Sequence, residues 1–259
     1  HQTFKNILRF LCFMGLTDIV PVIVFFNQKQ REVYEDIVKS VGLSGTKFID
    51  IVNNDLSYDR LMLAKRVGEV VGEQKSVVIG EPHCLMTFCY NDEKTTSVLY
   101  DGHNDSYPFK DEGFPYFGNG SFLLERKGPT IIAGTIVFSD IKNIKTYRPR
   151  RARYARRIAD RLEKMGAKDI FLSFEVDVLH KKVTTAHGWN PGHMSFEDVL
   201  DSSIEAIEGR NLRGINIAGY RPSREESPYH TAELLKEYLN KTVPHLIKAS
   251  ERISLKTFI

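Results

Sequence analysis

The chain has few cysteines, almost no net charge and no long apolar run, and each shortage excludes a class of protein. Its three cysteines, Cys12, Cys84 and Cys89, are odd in number and lack paired zinc-ligand spacing, which favours reduced thiols over a disulfide framework. The 36 basic residues nearly balance the 33 acidic ones, so bulk charge indicates neither nucleic acid nor a membrane surface as partner. The longest apolar run, 19–26, is interrupted by Pro21 and is far shorter than the roughly 20 residues of a membrane helix. We therefore expect a cytoplasmic protein with no transmembrane segment.

The chain also lacks internal repeats, low-complexity tracts and any Pro/Gly-rich linker that would divide it. Its 259 residues, 42% of them hydrophobic, are enough to fill a sizeable core. We expect a single domain that spans residues 1–259.

What the sequence does contain is an alternation of short β-branched runs and helical patterns. The apolar runs lie at 19–26, 47–52, 76–80, 95–101 and 169–178, and others begin near 129 and 214. The helical patterns between them include a basic helix from about Arg150 to Met165 and a helix that begins near Ser195. This alternation is typical of βαβ units. It predicts an α/β fold of three layers, α/β/α, with a mainly parallel, doubly wound sheet.

Six ligand-type side chains follow three of the predicted strands. They are His83 after SVVIG, Asp101, His103 and Asp105 after TTSVLY, and Glu175 and Asp177 at the end of the run at 169–178. Residues two apart on an extended backbone point to the same side, so the members of each cluster are expected to converge. Ligands in open parallel sheets bind beyond the carboxyl ends of the strands, which is where all three clusters fall.

Four carboxylates and two imidazoles brought together need positive charge, because close carboxylates cannot all stay ionised without a cation. An oxygen-rich set with a minority of histidine suits Mn²⁺ better than it suits structural zinc. The set can hold two ions, which in such pairs lie about 3.5–4 Å apart and share a water of lowered pKa. We expect this water to supply a metal-bridging hydroxide for hydrolysis. The alternative is that each cluster separately caps a strand and faces solvent.

The order of these motifs resembles the arginase/agmatinase family, the ureohydrolases. The family's Gly-Gly-Asp-His-Ser, Asp-Ala-His-x-Asp and Ser-x-Asp-x-Asp-x-x-Asp-Pro segments are similar to residues 80–84, 101–105 and 173–180. Its Pro-Gly-Gly-Leu-Thr segment is similar to 191–195, and its late Val-Glu-Val-Asn-Pro segment is similar to 220–222, with a Thr-Ala pair at 231–232.

The resemblance implies an arginase-like fold and a binuclear manganese site with all six residues as ligands. Asp101 and Glu175 would bridge the ions, and Asp105 would also orient the hydroxide as a catalytic residue. The implied reaction is hydrolysis of a C-N bond, other than a peptide bond, in a linear amidine or guanidine. The implied partners are a small-molecule substrate and further copies of the chain, as a trimer or hexamer.

The sequence departs from the family pattern at three positions. Glu175 stands where the family has a bridging aspartate and reaches about 1.5 Å further. Asn119 stands in the substrate region in place of a proton-shuttling histidine, and asparagine cannot exchange a proton near neutral pH. Gly219 stands in place of the glutamate that binds the substrate's guanidinium in the family. Without that carboxylate, a guanidinium substrate loses its natural partner. We therefore expect arginine to be a poor substrate.

Two alternatives stay open beside an amidine or guanidine hydrolase. One is a formiminoglutamate-type hydrolase, and the other is a catalytically silent binding or assembly protein of arginase-like fold. A metal-dependent deacetylase shares the broad fold, but its paired-histidine signature is not visible.

Histidines after the last metal motif are candidates to replace the missing proton shuttle. Among His180, His187 and His193, we assign a catalytic role to His187, because its neighbours Gly188 and Trp189 indicate a loop over the site. His180 occupies a position that is more often structural.

The segment 142–157 carries eight basic residues and no acid. We interpret it as a solvated helix face or a subunit contact rather than a surface for RNA or another anion. Nucleic acid is therefore not expected as a partner.

Overall fold

The computed structural model of the protein describes residues 18–51, 60–81, 83–105, 122–135, 143–147, 154–186, 192–224 and 230–246. It describes His83 and Tyr154 by their backbones alone. Within these ranges the strands are β1 (Val20–Phe25), β2 (Lys47–Asp50), β3 (Ser76–Gly80), β4 (Thr95–Tyr100), β5 (Thr130–Ala133), β6 (Ile144–Tyr147), β7 (Asp169–Glu175) and β8 (Asn211–Ala218). The α-helices are α1 (Gln28–Ser40), α2 (Arg60–Val71), α3 (Tyr154–Lys164), α4 (Phe196–Ile207) and α5 (His230–Thr242).

The described strands form one sheet in the order β2-β1-β3-β8-β7-β4-β5-β6. Every pair of neighbours is parallel. The predicted α/β fold with a parallel, doubly wound sheet is confirmed. Strands β3, β8, β7 and β4 lie at the centre of the sheet, so their carboxyl ends are neighbours.

Apolar side chains cover both faces of the sheet, as a buried parallel sheet requires. Val22 and Val24 of β1 belong to the core beneath α2, whereas Ile23 and Phe25 belong to the core beneath α1, α3, α4 and α5. Each fully buried apolar side chain contributes roughly 1.5–3 kcal/mol before the entropy of ordering is subtracted. The result is the expected arrangement of helices on both sides of the sheet.

The helices begin where the sequence provides capping side chains. Asn27 accepts a hydrogen bond from the Gln30 N–H at the start of α1, and Ser195 accepts one from the Asp198 N–H at the start of α4. The helix predicted near Ser195 is thus confirmed. No α-helix in the described ranges exceeds 13 residues, and none of the described helices has the length and apolar character needed to cross a bilayer.

Two strand ends differ from the sequence prediction. Strand β7 ends at Glu175, and residues Val176–Val178 form a 3₁₀ turn. Strand β4 ends at Tyr100, and the chain bends at 102–103. The expectation that period-two spacing on an extended backbone aligns these ligands was therefore wrong. After β4 the Asp101 carboxylate accepts a hydrogen bond from the His103 N–H and turns the chain, and after β7 the backbone enters a 3₁₀ turn.

The basic segment also contains an element that its composition hides. Ile144–Tyr147 form strand β6 at the edge of the sheet, paired with β5. The prediction of a helix face therefore fits only from α3 onward, which begins at Tyr154. Residues 148–153 of the segment lie outside the described residues.

Candidate metal centre

Three central strands end in register at one edge of the sheet. Gly80 of β3 pairs with Ala218 of β8, and Ala218 pairs with Glu175 of β7. One strand further along, Tyr100 of β4 pairs with Phe174. The residues that follow these positions therefore emerge side by side, with strands about 4.8 Å apart.

Asp101, His103 and Asp177 come together at this edge although they lie on two separate segments. One ligand atom from each residue lies within 4.8 Å of the others. The His103 Nδ1 atom is 3.4 Å from Asp101 Oδ1 and 3.3 Å from Asp177 Oδ2. Both carboxylates are buried, while the His103 side chain is 37% exposed. The group thus has an acidic interior and one side open to solvent.

A local hydrogen bond explains how Asp101 and His103 meet without an extended backbone. The His103 N–H donates to Asp101 Oδ1 over 2.7 Å. Aspartate side chains commonly accept such a bond from the backbone N–H two residues later and so form a turn. The same bond fixes one carboxylate oxygen of Asp101, while its Oδ2 atom is buried without a hydrogen-bond partner in the described residues.

Glycine packing holds the turn that carries Asp177. The Gly192 N–H donates to the Asp177 carbonyl over 2.5 Å, and the Met194 N–H donates to the Val178 carbonyl over 3.1 Å. A Cβ atom on Gly192 would lie 2.1 Å from the Val178 oxygen, which no real Cβ contact allows. Gly102 approaches the same turn, since its Cβ would lie 3.1 Å from the Asp177 oxygen.

Asp105 and Glu175 add two more carboxylates to the same buried region. Burial, then the negative charge of Asp101, raises the pKa of Asp105 well above its usual range, and the charges of Glu175 and Asp177 act in the same direction. Burial, then the charges of Asp101 and Asp177, likewise raises the pKa of Glu175. The four acids therefore repel one another strongly enough to favour bound protons or a cation.

These carboxylates fit a divalent cation. The Oδ2 atoms of both Asp101 and Asp105 are buried and have no hydrogen-bond partner among the residues that the structure describes. Hard oxygen donors with one imidazole suit Mn²⁺ or a similar ion. A cation would satisfy these atoms and remove the repulsion at once.

The protonation of His103 responds to the same acids. Its hydrogen bonds to Asp101 and then to Asp177 raise the pKa of the imidazole to about 10. A proton and a metal ion therefore compete for the same place, because a ligating histidine must be neutral.

Glu175 is held by a buried pair of polar side chains. Ser173 Oγ donates to Glu175 Oε1 over 3.4 Å, and Asn216 Nδ2 donates to Ser173 Oγ over 2.8 Å. Such outer partners orient metal-ligating carboxylates. Asn216 was missed by the sequence reasoning, although an amide inside the apolar strand β8 is a usable signal.

The other residues singled out from the sequence have mixed outcomes. His83 begins the 3₁₀ turn His83–Met86, directly after β3, but its side chain is not described. Asn119 and His187 lie outside the described residues. Gly219 follows β8 with a φ of 75°, and its N–H donates to the Glu81 carbonyl over 3.1 Å.

Of the other two candidate histidines, His193 is exposed. The Nδ1 atom of His180 accepts a hydrogen bond from the Lys182 N–H over 3.1 Å. His180 therefore has a local structural role, as its position in the motif suggested.

An ion pair beside the metal centre was also missed. Arg221 Nη2 lies 2.7 Å from Glu81 Oε1, and Gln30 Nε2 donates to Glu81 Oε2 over 2.7 Å. The sequence contains a signal for it, since Glu81 and Arg221 both depart from the family motifs in which they lie.

A buried arginine supports the turn that His83 begins. The Arg126 guanidinium donates to the carbonyl oxygens of Met86, Thr87, Cys89 and Tyr90. Burial lowers the pKa of Arg126 to about 10, so the group stays charged at neutral pH. Its position fixes the backbone downstream of the predicted ligand.

Comparisons with known proteins agree with the geometry at the level of the fold. No protein-family model and no curated protein matches the chain. Among solved structures, agmatine ureohydrolase of Thermoplasma volcanium is similar with a TM-score of 0.71 and 12% identity, over 93% of this chain and 92% of that chain. A hypothetical agmatinase from Burkholderia thailandensis gives 0.68 and 14%, over 92% and 87%.

Formimidoylglutamase from Bacillus subtilis is also similar, with a TM-score of 0.61 and 12% identity, over 91% of this chain and 87% of that chain. At such low identities these similarities establish the fold. The protein therefore has an arginase-like α/β fold, with a cluster of residues that could hold a metal ion at the carboxyl ends of its central strands.

Proposed function

We propose that the protein is a manganese-dependent hydrolase of the ureohydrolase type. It would cleave a C-N bond, other than a peptide bond, in a linear amidine or guanidine. The observation that carries this proposal is the convergence of ligand atoms from Asp101, His103 and Asp177 within 4.8 Å, with the buried acids Asp105 and Glu175 beside them. The ureohydrolase names of the similar structures support the same class of reaction.

In this proposal two Mn²⁺ ions would be held by His83, Asp101, His103, Asp105, Glu175 and Asp177. When bound, the ions supply Lewis-acid activation of water for attack on the amidine carbon. Asp105 would orient the attacking water and accept its proton. The Ser173 hydroxyl and the Asn216 amide hold Glu175 in place. His187 is the proposed proton donor to the leaving nitrogen.

The test combines metal analysis with a substrate panel. Protein purified in Mn²⁺ is expected to hold two ions per chain and to release urea, formamide or ammonia from at least one of arginine, agmatine, 4-guanidinobutyrate and formiminoglutamate. Asp101→Asn and Asp177→Asn should lower activity more than about 100-fold, since even outer partners of metal ligands are worth 10–100-fold.

Asp160→Asn is the matched control, because Asp160 is an exposed acid on α3. It should retain both metal and activity. Less than one transition-metal ion per chain in the wild type would contradict the proposal.

Gly219 favours a second candidate, a catalytically silent binding or assembly protein. Its φ of 75° is a conformation that glutamate adopts rarely, so the backbone here suits the glycine that this chain has rather than a guanidinium-binding glutamate. A metal-loaded protein that hydrolyses none of the panel, yet binds RNA or an acidic protein until Arg150 and Arg151 are replaced by glutamate, would support it.

We further propose that the protein is a cytoplasmic homo-oligomer, a trimer or a hexamer. The oligomer rests on the family resemblance, and the cytoplasmic location rests on the cysteine pattern, with Cys84 and Cys89 free thiols. Light scattering on the eluting protein would measure its mass, and a monomer at micromolar concentration would contradict it.

A further inference from the structure

The loops after β3 and β8 place a second set of charged groups next to the metal centre. Gly80 and Ala218 pair across the sheet, and Ala218 also pairs with Glu175. Glu81 and Gly219 each come one residue after this row, and the Gly219 N–H donates to the Glu81 carbonyl. With strands about 4.8 Å apart, Glu81 leaves the sheet two strands from Glu175.

The Glu81 carboxylate is fully engaged by groups of the chain itself. Arg221 Nη2 lies 2.7 Å from its Oε1 atom, and Gln30 Nε2 donates to its Oε2 atom over 2.7 Å. Gln30 is itself fixed, because its Oε1 atom accepts the Phe26 N–H over 2.9 Å and its N–H donates to Asn27 over 3.0 Å. The side chains of Arg221 and Glu81 are 27% and 17% exposed, so both reach the protein surface.

The backbone of Arg221 is held by the segment that continues from the metal centre. Its N–H donates to the Ala186 carbonyl over 2.7 Å, and Ala186 follows Asp177 by a short segment. The preceding carbonyl, of Tyr220, accepts a hydrogen bond from the buried Tyr34 hydroxyl over 2.7 Å. Arg221 is therefore fixed between the segment that follows β7 and the segment that follows β3.

The described part of the segment after β8 offers a guanidinium substrate no carboxylate. Residues 219–224 contain two arginines and no acid, Gly219 has no side chain, and the acids Glu225 and Glu226 lie outside the described residues. A carboxylate binds a guanidinium through strong charge-assisted hydrogen bonds, and here the Glu81 carboxylate already makes one to Arg221.

We propose that Arg221 determines substrate specificity by occupying, within the same chain, the Glu81 carboxylate that would otherwise attract a guanidinium cation. The site then rejects guanidinium compounds and takes an amidine or amide that carries a carboxylate, which the remaining N–H groups of Arg221 contact. This assignment of substrate class rests on the proposed function, since it concerns the rim of the same metal centre.

The experiment measures binding of two simple probes, guanidinium and glutarate, to full-length protein incubated with Mn²⁺. Wild type, Arg221→Ala, Arg221→Lys and the double variant Arg221→Ala/Glu81→Gln are compared by calorimetry, after thermal melting has shown that each is folded. Arg221→Ala should bind guanidinium at least tenfold more tightly than wild type and glutarate at least fivefold less tightly. The double variant should lose the gain for guanidinium, and Arg221→Lys should retain most of the glutarate affinity.

Two binding results would overturn the inference: guanidinium binding by wild type as tight as by Arg221→Ala, or glutarate binding that is absent or is unchanged by Arg221→Ala. Neither readout needs turnover, so an inactive protein is still informative. A wild type with a higher kcat/KM for agmatine than for carboxylate-bearing amidines would refute the inference while the proposed hydrolase stands. If Arg221→Ala changes the affinities for guanidinium and glutarate as expected, but the protein hydrolyses none of the substrates, the proposed hydrolase function is refuted. The role of Arg221 in selecting ligands by charge then stands.

Discussion

At the scale of single residues, His103 links the metal centre to pH. Its imidazole contacts Asp101 and Asp177, whose hydrogen bonds raise the pKa of His103 to about 10. At neutral pH the metal-free protein therefore carries a proton where a metal ion would bind. Asp105 and Glu175, whose pKa values are also raised, favour further bound protons.

We predict that Mn²⁺ binding at pH 7.5 releases protons. Ligands must be deprotonated to bind a metal, so at least about one proton per chain should leave, contributed chiefly by His103. Calorimetry in buffers of different ionisation enthalpy counts these protons. His103→Ala should release fewer protons and bind Mn²⁺ more weakly, while His245→Ala, a histidine outside the centre, should behave as wild type. Metal binding with no proton uptake by the buffer would contradict the prediction.

The sequence predicted six ligand residues at strand ends, and the described structure brings ligand atoms of three of them together. Asp101, His103 and Asp177 do meet, yet for a reason that periodicity did not provide: a hydrogen bond from the His103 N–H to Asp101 Oδ1 and a 3₁₀ turn around Asp177. The Glu81–Arg221 pair joins residues 140 positions apart (221 minus 81). It could not be predicted, because it forms only when β3 and β8 are neighbours in the sheet.

At the scale of elements, the turn after β3 has an internal support of its own. Residues 83–90 leave the sheet and pack against α2 through buried side chains including Leu85, Met86 and Cys89. Four of their carbonyl groups accept hydrogen bonds from the buried Arg126 guanidinium. Buried carbonyls need a partner, and this arginine supplies several at once.

We predict that Arg126→Met lowers the free energy of unfolding by about 3 kcal/mol. The Thr87 and Cys89 carbonyls would lose their donor, at about 1–3 kcal/mol each, whereas the Met86 and Tyr90 carbonyls keep hydrogen bonds from the Cys89 and Asp92 N–H groups. The substitution should also weaken Mn²⁺ binding, since the turn that begins at His83 loses its support. Urea titration and metal titration measure the two effects.

Lys127→Met is the matched control for this change, because Lys127 is the exposed neighbour of Arg126. It should alter neither quantity by more than about 0.5 kcal/mol, as is usual for surface substitutions. An Arg126→Met protein as stable as this control would show that the carbonyls find other partners.

Elements were predictable to different degrees. Strand β3 matches its predicted range, because the apolar run ends at Gly80. A side chain at Gly80 would clash with its neighbours, since its Cβ would lie 2.4 Å from Leu85 Cδ1. Strand β6 was not predicted, because the short segment 144–147 mixes polar and apolar residues inside a basic stretch. The strand is stabilised by parallel pairing with β5, which the sequence of the segment does not indicate.

At the scale of the whole molecule, the sheet brings mutually repelling acids to one place. The parallel arrangement directs the ends of β7 and β4 to the same edge, and both faces are covered by helices, so these acids are buried. Their raised pKa values mean that the folded chain keeps protons which the unfolded chain releases near pH 4. The contribution of these two acids to the free energy of unfolding of the metal-free protein therefore falls as pH rises above about 4.

His103 acts in the same direction at higher pH. The unfolded chain loses its imidazole proton near pH 6.5, whereas the folded chain keeps it up to about pH 10. The stabilisation from the charged imidazole is therefore complete below about pH 6.5 and is lost as pH rises through about 10. Metal-free protein should be most stable in mild acid and progressively less stable in base.

We predict that Mn²⁺ reverses this loss, and that Asp105→Asn separates the repulsion from the metal. Metal-free wild type should melt at a lower temperature at pH 8 than at pH 5, and Mn²⁺ should raise the pH 8 value, since a ligand bound only by the folded state stabilises it. Metal-free Asp105→Asn should lose less stability over the same range, because an amide needs no proton, yet it should gain little from Mn²⁺. Each unit of raised pKa is worth about 1.4 kcal/mol, and 1 kcal/mol shifts the melting temperature by about 2–4 °C in a chain of this size. Asp160→Asn, an exposed acid exchanged in the same way, should follow wild type in both conditions, and an Asp105→Asn protein that does the same would mean that the acids at the carboxyl ends of β4 and β7 neither repel one another nor bind the metal.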